Sequence, residues 1–255
     1  MPFVATCSSI APTSCGHPRY PRRVGARRFL LMGSGEFEPW SEEVERVALE
    51  DRPGRVAIVP AASAPEGDEV FDRWARMGLE HYAAMGVEAW VVPLKRREDA
   101  ERDEVVGALE GAGMVFVSGG NPRYLGHAID GTPFLDALGR ALDAGTVFAG
   151  CSAGAMVASR RPDARPRFGA AWVSGLGLIE GGSFGVHWDK ARFIPGMRPF
   201  LMSRVRGGWF AGLDERTAIL GDGSSWVVHG LGTVTLRMDG RTRSFRAGQR
   251  FETPA

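Results

Sequence analysis

Apolar residues fall along this chain in short blocks, most of them stopped by glycine or proline. Phe29 to Met32 is unbroken up to Gly33, which predicts a buried strand. A second block, "RVAIVPAAS" at 55–63, lies between Pro53-Gly54 and Pro65 and predicts another. From Glu66 to Met85 the spacing changes: Val70, Trp74, Met77 and Tyr82 recur at helical intervals and the run ends at Gly86. Strands follow at 87–94 and 114–120, separated by a charged helix at 99–110 with Val105, Val106 and Leu109 on one side. A helix at 133–145 stops at Gly145, and "TVFAG" at 146–150 is a fifth strand. Continuously apolar strands alternating with amphipathic helices predict an α/β fold, a mostly parallel central sheet covered by helices on both faces.

Beyond residue 160 the texture changes. "RRPDARPRFG" reads as a polar, proline-rich loop and "WVSGLGLI" at 172–179 is apolar again. From 217 onward, strand-like runs alternate with Gly-Asp-Gly, His-Gly and Asp-Gly turns, and Asp239-Gly240 is a hairpin signal. This predicts a C-terminal antiparallel β extension of the same domain, residues 28–255. Residues 1–27 carry no acidic residue and no periodicity, and are read as a disordered tail or an over-extended start.

Composition narrows the function classes. Lys+Arg total 31 against 30 Asp+Glu, so charge gives no case for nucleic acid or an anionic membrane. No apolar run reaches the roughly 20 residues of a membrane span. The three cysteines, Cys7, Cys15 and Cys151, have no metal-type spacing, so neither a metal site nor a disulfide framework is expected. A cytoplasmic setting fits, and a homodimer is compatible with the sequence.

In parallel sheets ligands gather beyond the carboxyl ends of the strands. Two glycine-rich stretches lie there, at 118–121 (Ser-Gly-Gly-Asn) and 150–154. Gly150-Cys151-Ser152-Ala153-Gly154 fits G-x-S-x-G, with a strand before it and a helix-compatible run after it. Small neighbours let a nucleophile occupy a tight turn, and the apex of the pentapeptide is Ser152 rather than Cys151. A plain glycine-rich turn with a helix-capping serine is the alternative. A serine needs a base. His17 lies in the tail, His81 on a helix and read as a surface residue, His127 at a helical position, His229 in a β-turn, and His187 in the glycine-rich segment "GGSFGVHWDK". Position alone does not choose among them. Backbone N–H groups at Ala153, Gly119 and Gly120 are candidate oxyanion donors.

Together, "FVSGGNPRYL", "GCSAGAMV", "GLGLIEGGSFGVHWD" and "GLDERTAIL", in this order, resemble the peptidase S51 family, which includes aspartyl dipeptidase (peptidase E) and cyanophycinase. The resemblance runs from about residue 29 to about 237. It implies a three-layer fold similar to class I glutamine amidotransferases and a serine peptidase acting on a small peptide or amide, without cofactor. It implies Ser152 as nucleophile, His187 as base, and Glu215 as the acid, with Asp214 as a possible substitute. It places the oxyanion donors on Gly120 and Ala153 and sets Gly119 and Asn121 beside the pocket. Cyanophycinases carry Asp-Gln before the histidine, where this chain has Gly185-Val186, so the resemblance covers the catalytic skeleton and not the specificity residues. Lys190, Arg192 and Arg198 are cations suited to a substrate carboxylate. Two rivals remain: an inactive binding protein on the same fold, and an amidotransferase-type enzyme using Cys151.

Overall fold

The computed structural model describes residues 27–159, 175–203 and 208–254. The expected tail, the cysteines within it, His17, the polar loop from 160 and part of the 172–179 block lie outside the described residues.

The elements run β1 (Arg28–Met32), α1 (Glu42–Leu49), β2 (Arg55–Val59), α2 (Asp68–Ala84), β3 (Glu88–Val91), α3 (Asp103–Gly107), β4 (Met114–Val117), α4 (Pro122–Ile129), α5 (Pro133–Asp143), β5 (Val147–Cys151) and α6 (Ala153–Val157). Then come β6 (Gly182–Gly185), α7 (Trp188–Ala191), α8 (Met197–Ser203), β7 (Trp209–Leu213), β8 (Thr217–Gly221), β9 (Ser225–Gly230), β10 (Thr233–Met238), β11 (Arg241–Arg246) and β12 (Arg250–Glu252). The main sheet has the order β12-β9-β8-β1-β5-β4-β2-β3. Strands β1 to β5 are parallel, while β8, β9 and β12 add antiparallel to the β1 edge. A second sheet, β11-β10-β7-β6, is antiparallel apart from the β6–β7 pair.

The strands predicted from apolar blocks form where expected; β1 and β5 end within one residue of expectation, while β2, β3 and β4 end early because the chain turns as soon as it leaves the sheet. Residues Ala61–Glu66 coil into a 3-10 segment after β2. The span 99–110 divides into a 3-10 turn and the short α3. Gly-Gly-Asn-Pro does more than turn: Asn121 caps α4, its Oδ1 accepting the N–H groups of Arg123 and Tyr124, with Pro122 at the first helical position.

Helix α2 corrects the spacing drawn from sequence. Its buried stripe is Phe71, Ala75, Gly78 and Tyr82, one position round from Val70, Trp74 and Met77. His81, expected at the surface, is buried and held at 2.8 Å by the buried carboxylate of Glu45 on α1. The hydrogen bond supplies the polar partner a buried imidazole needs. His229, expected in a turn, is inside β9.

The two sheets share a core at Trp226. Its ring lies 5.9 Å from Trp209, 6.5 Å from Phe184, 6.4 Å from Phe29 and 6.4 Å from Phe251. Trp209 and Phe184 belong to the second sheet, and Phe29 and Phe251 to the first, so aromatic packing fixes one sheet against the other. Among the described residues, no helix is long and apolar enough to cross a membrane.

Candidate active site

The carboxyl ends of β1, β4 and β5 lie side by side, as their register requires: Met32 pairs with Cys151, and Val117 with Gly150. Each strand releases a loop on the same side. These loops carry Glu36, Gly119-Gly120 and Ser152.

Ser152 occupies the sharp turn between β5 and α6. Its backbone is at φ 49° and ψ −107°, and its N–H donates to Met32 O at 3.0 Å. A non-glycine residue is strained there. The turn fits only with glycine on both flanks. A Cβ on Gly150 would stand 2.6 Å from the Gly154 backbone, and one on Gly154 would stand 2.1 Å from Val117 O. This is the physical content of the G-x-S-x-G spacing.

Cys151 is fully buried and points away from the apex, its Sγ donating to Glu36 Oε2 at 2.9 Å. Burial, and then the neighbouring Glu36 carboxylate, push its thiol well above the usual range. The thiolate that nucleophilic cysteine chemistry requires is thereby disfavoured.

His187 follows β6 in the left-handed region, at φ 48° and ψ 38°. The reversal drives Trp188 into the core, 5.0 Å from Phe210, while Arg198 stacks on the indole and donates to Trp188 O. Arg198 thus braces the histidine segment. With Trp188 anchored, His187 Nε2 stands 3.1 Å from Ser152 Oγ. On the other ring nitrogen, Nδ1 is 3.1 Å from Glu215 Oε1. Glu215 sits in the turn between β7 and β8, where its N–H donates to Asp189 Oδ1. Its second oxygen is 3.4 Å from Lys190 Nζ. Of the two adjacent acids, the one at the imidazole is Glu215. Asp214 faces elsewhere, accepting the Thr233 N–H at Oδ2, and burial, reinforced by Asp189, raises its carboxyl above the usual range.

The Gly-Gly loop is sorted by its hydrogen bonds. Gly119 N–H donates to Glu36 Oε1 at 2.8 Å, so that amide is spent inside the protein. Asn121 N–H donates to Ala62 O. Among the described residues, the N–H groups of Gly120 between them, and of Ala153 at the start of α6, have no protein acceptor. Gly120 has φ 137°, and a Cβ there would meet Ala62 O at 2.4 Å.

A cleft of about 670 Å³ opens beside the imidazole, lined in part by Glu36, Trp74, Met77, His187, Glu215 and Arg216. Two α2 side chains of the helically spaced apolar set, Trp74 and Met77, are cleft wall. Neither Ser152 and the Gly120 and Ala153 amides nor Lys190, Arg192, Gly119 and Asn121 are among its lining residues. Lys190 turns to Glu215, and the exposed Arg192 lies over Phe193. The cation in the cleft wall is Arg216, paired with Glu38 at 2.7 Å. His127 is exposed in the last turn of α4. Sequence reasoning missed Glu36. The available signal was its position in "GSGE", directly after an apolar strand, where the rule on strand ends applies.

The sequence model of Peptidase family S51 matches residues 29–228. The structure is similar to that of a peptidase from an acI-B1 Actinobacterium, with a TM-score of 0.79 and 27% identity over 89% of this chain and 97% of that one. It is also similar in fold to a peptidase E homologue from Listeria monocytogenes EGD-e, with a TM-score of 0.58 and 17% identity over 81% of this chain and 100% of that one. No curated protein sequence matches the chain.

Proposed function

The chain belongs to peptidase family S51, and from that premise we propose that it is a serine peptidase that hydrolyses a small peptide or amide. Ser152 Oγ attacks the scissile carbonyl while His187 Nε2 takes its proton. Glu215 holds the imidazole by Nδ1 and stabilises the imidazolium that forms. The Gly120 and Ala153 N–H groups receive the oxyanion. His187 returns the proton to the departing amine, and a water activated by the same imidazole then releases the acyl group from Ser152.

The observation that carries this reading is the relay Ser152 Oγ–His187 Nε2 and His187 Nδ1–Glu215 Oε1, with both contacts at 3.1 Å. The buried, hydrogen-bonded thiol of Cys151 argues against a cysteine nucleophile. A fluorophosphonate probe tests the assignment: the intact protein labels once, Ser152→Ala does not label, and Cys151→Ala still does. Wild type that stays unlabelled, and that turns over no member of a dipeptide library, would leave a binding protein on a peptidase fold.

A further inference from the structure

The Glu36 carboxyl ties together the two loops that flank the nucleophile. One oxygen accepts the Gly119 N–H at 2.8 Å, and the other accepts the Cys151 S–H at 2.9 Å. These partners are distant in sequence and lie on the ends of two different strands. Glu36 is only 6% exposed, so both bonds form away from bulk water, where leaving either partner unpaired is costly. The fit is tight on the loop side. A Cβ added to Gly119 would stand 2.8 Å from Glu36 Oε1 and 3.4 Å from Ser152 Cβ.

Successive amides of that loop have defined destinations. Ser118 N–H goes to Val59 O and Asn121 N–H to Ala62 O, both backbone acceptors. Gly119 N–H alone is fixed by a side chain. The peptide between residues 119 and 120 therefore takes its orientation from Glu36 on one side and from the φ of 137° at Gly120 on the other. That peptide carries the Gly120 N–H, which has no acceptor among the described residues. The same carboxyl holds the residue next to Ser152, so it also sets the spacing between donor loop and nucleophile.

We propose that Glu36 is a positioning residue for the oxyanion site: it accepts Gly119 N–H and Cys151 S–H together and so holds the Gly120 N–H at working distance from Ser152. The inference rests on the serine-peptidase reading above. An oxyanion donor works within a few tenths of an ångström, and a shift of about 1 Å costs about 10²-fold in rate.

The experiment follows phosphonylation of the full chain by a fluorophosphonate whose P=O oxygen occupies the oxyanion site. Concentration series separate the maximal rate kinact from the binding constant KI. The final extent of labelling counts correctly folded sites in each variant, so a poorly folded fraction does not distort the rate. Glu36→Ala lowers kinact by about 10- to 100-fold with KI near wild type, less than the ~10²–10³-fold lost when a donor is removed outright. Glu36→Gln keeps an oxygen for Gly119 N–H and recovers most of the rate. Wild-type rates in both variants overturn the inference, and so does a loss confined to KI, which would make Glu36 a ligand contact. Glu36→Gln as slow as Glu36→Ala also overturns it, since the Gly119 bond would then not be what matters. Wild type that fails to label at Ser152 overturns the serine-peptidase reading itself, a result distinct from labelled wild type with insensitive variants.

Discussion

Replacing Glu215 by Gln removes a charge but leaves an oxygen to which His187 Nδ1 can donate. The native contact is 3.1 Å, which sets the charge centres about 4 Å apart once His187 holds the serine proton. Such a pair contributes about 1 kcal/mol in bulk water and about 4 kcal/mol at an effective dielectric constant of 20. The side chains of His187 and Glu215 are 44% and 36% exposed, and Lys190 Nζ lies 3.4 Å from the same carboxylate. Solvent and a competing cation therefore weaken the interaction, and a dielectric constant of about 40 gives about 2 kcal/mol. That is roughly 30-fold in kcat, with KM nearly unchanged because the charge develops only as the proton moves. Asp214→Asn is the matched control. Asn still accepts the Thr233 amide, so kcat stays within about threefold of wild type. The assay is steady-state turnover of the best substrate from a dipeptide library varied at its first residue, with active sites counted by fluorophosphonate titration. A larger loss in Asp214→Asn than in Glu215→Gln, or no loss in Glu215→Gln, refutes the reasoning.

Three further outcomes are expected. Gly154→Ala puts a methyl group 2.1 Å from Val117 O, and the forced shift costs about 2–3 kcal/mol; calorimetry should show Tm lowered by roughly 5–10 °C, and an unchanged Tm contradicts the geometry of the turn. Trp226→Ala empties the aromatic joint between the sheets and should cost about 3–5 kcal/mol in urea unfolding; a loss under about 1 kcal/mol would mean that the sheets are held together elsewhere. Cys151, buried and with its thiol pushed upward, should resist alkylation at pH 8 in the native protein and react once denatured, as read by peptide mass spectrometry. Rapid native alkylation at that residue would contradict its burial.

The parallel half of the main sheet was legible because its strands are unbroken apolar runs closed by glycine or proline, and the elbow because its spacing is a steric requirement at Gly150 and Gly154. The other features depend on contacts that local pattern does not encode. His81 falls on the inward side of α2 only because Glu45, on another helix, supplies a carboxylate. Trp74 and Met77 repeat at helical spacing as core residues do, yet they face a cleft, and nothing in the spacing separates the two surroundings. The helical position of His127 was legible, but the Asn121 cap of α4 was hidden in Gly-Gly-Asn-Pro, a string equally suited to a bare turn. Glu36 carries no motif of its own, and its role emerges only when three strand ends are brought together. The acid beside the imidazole was open between Asp214 and Glu215 in sequence. The backbone bond from Thr233 draws the first away, while the Asp189 contact fixes the turn that presents the second.

Strand β1 lies between β5 on one side and β8 on the other. It is among the first parts of the described chain to leave the ribosome, but both of its neighbours are made much later. At roughly 5–20 residues per second, this apolar strand waits on the order of ten seconds for β5, and longer for β8. Throughout that interval its edges are open to misassociation, so the nascent chain should depend on chaperone shelter more than the finished protein's stability would suggest. The Ser152–His187–Glu215 contacts wait on the same interval, because the three residues follow β5, β6 and β7 in the chain.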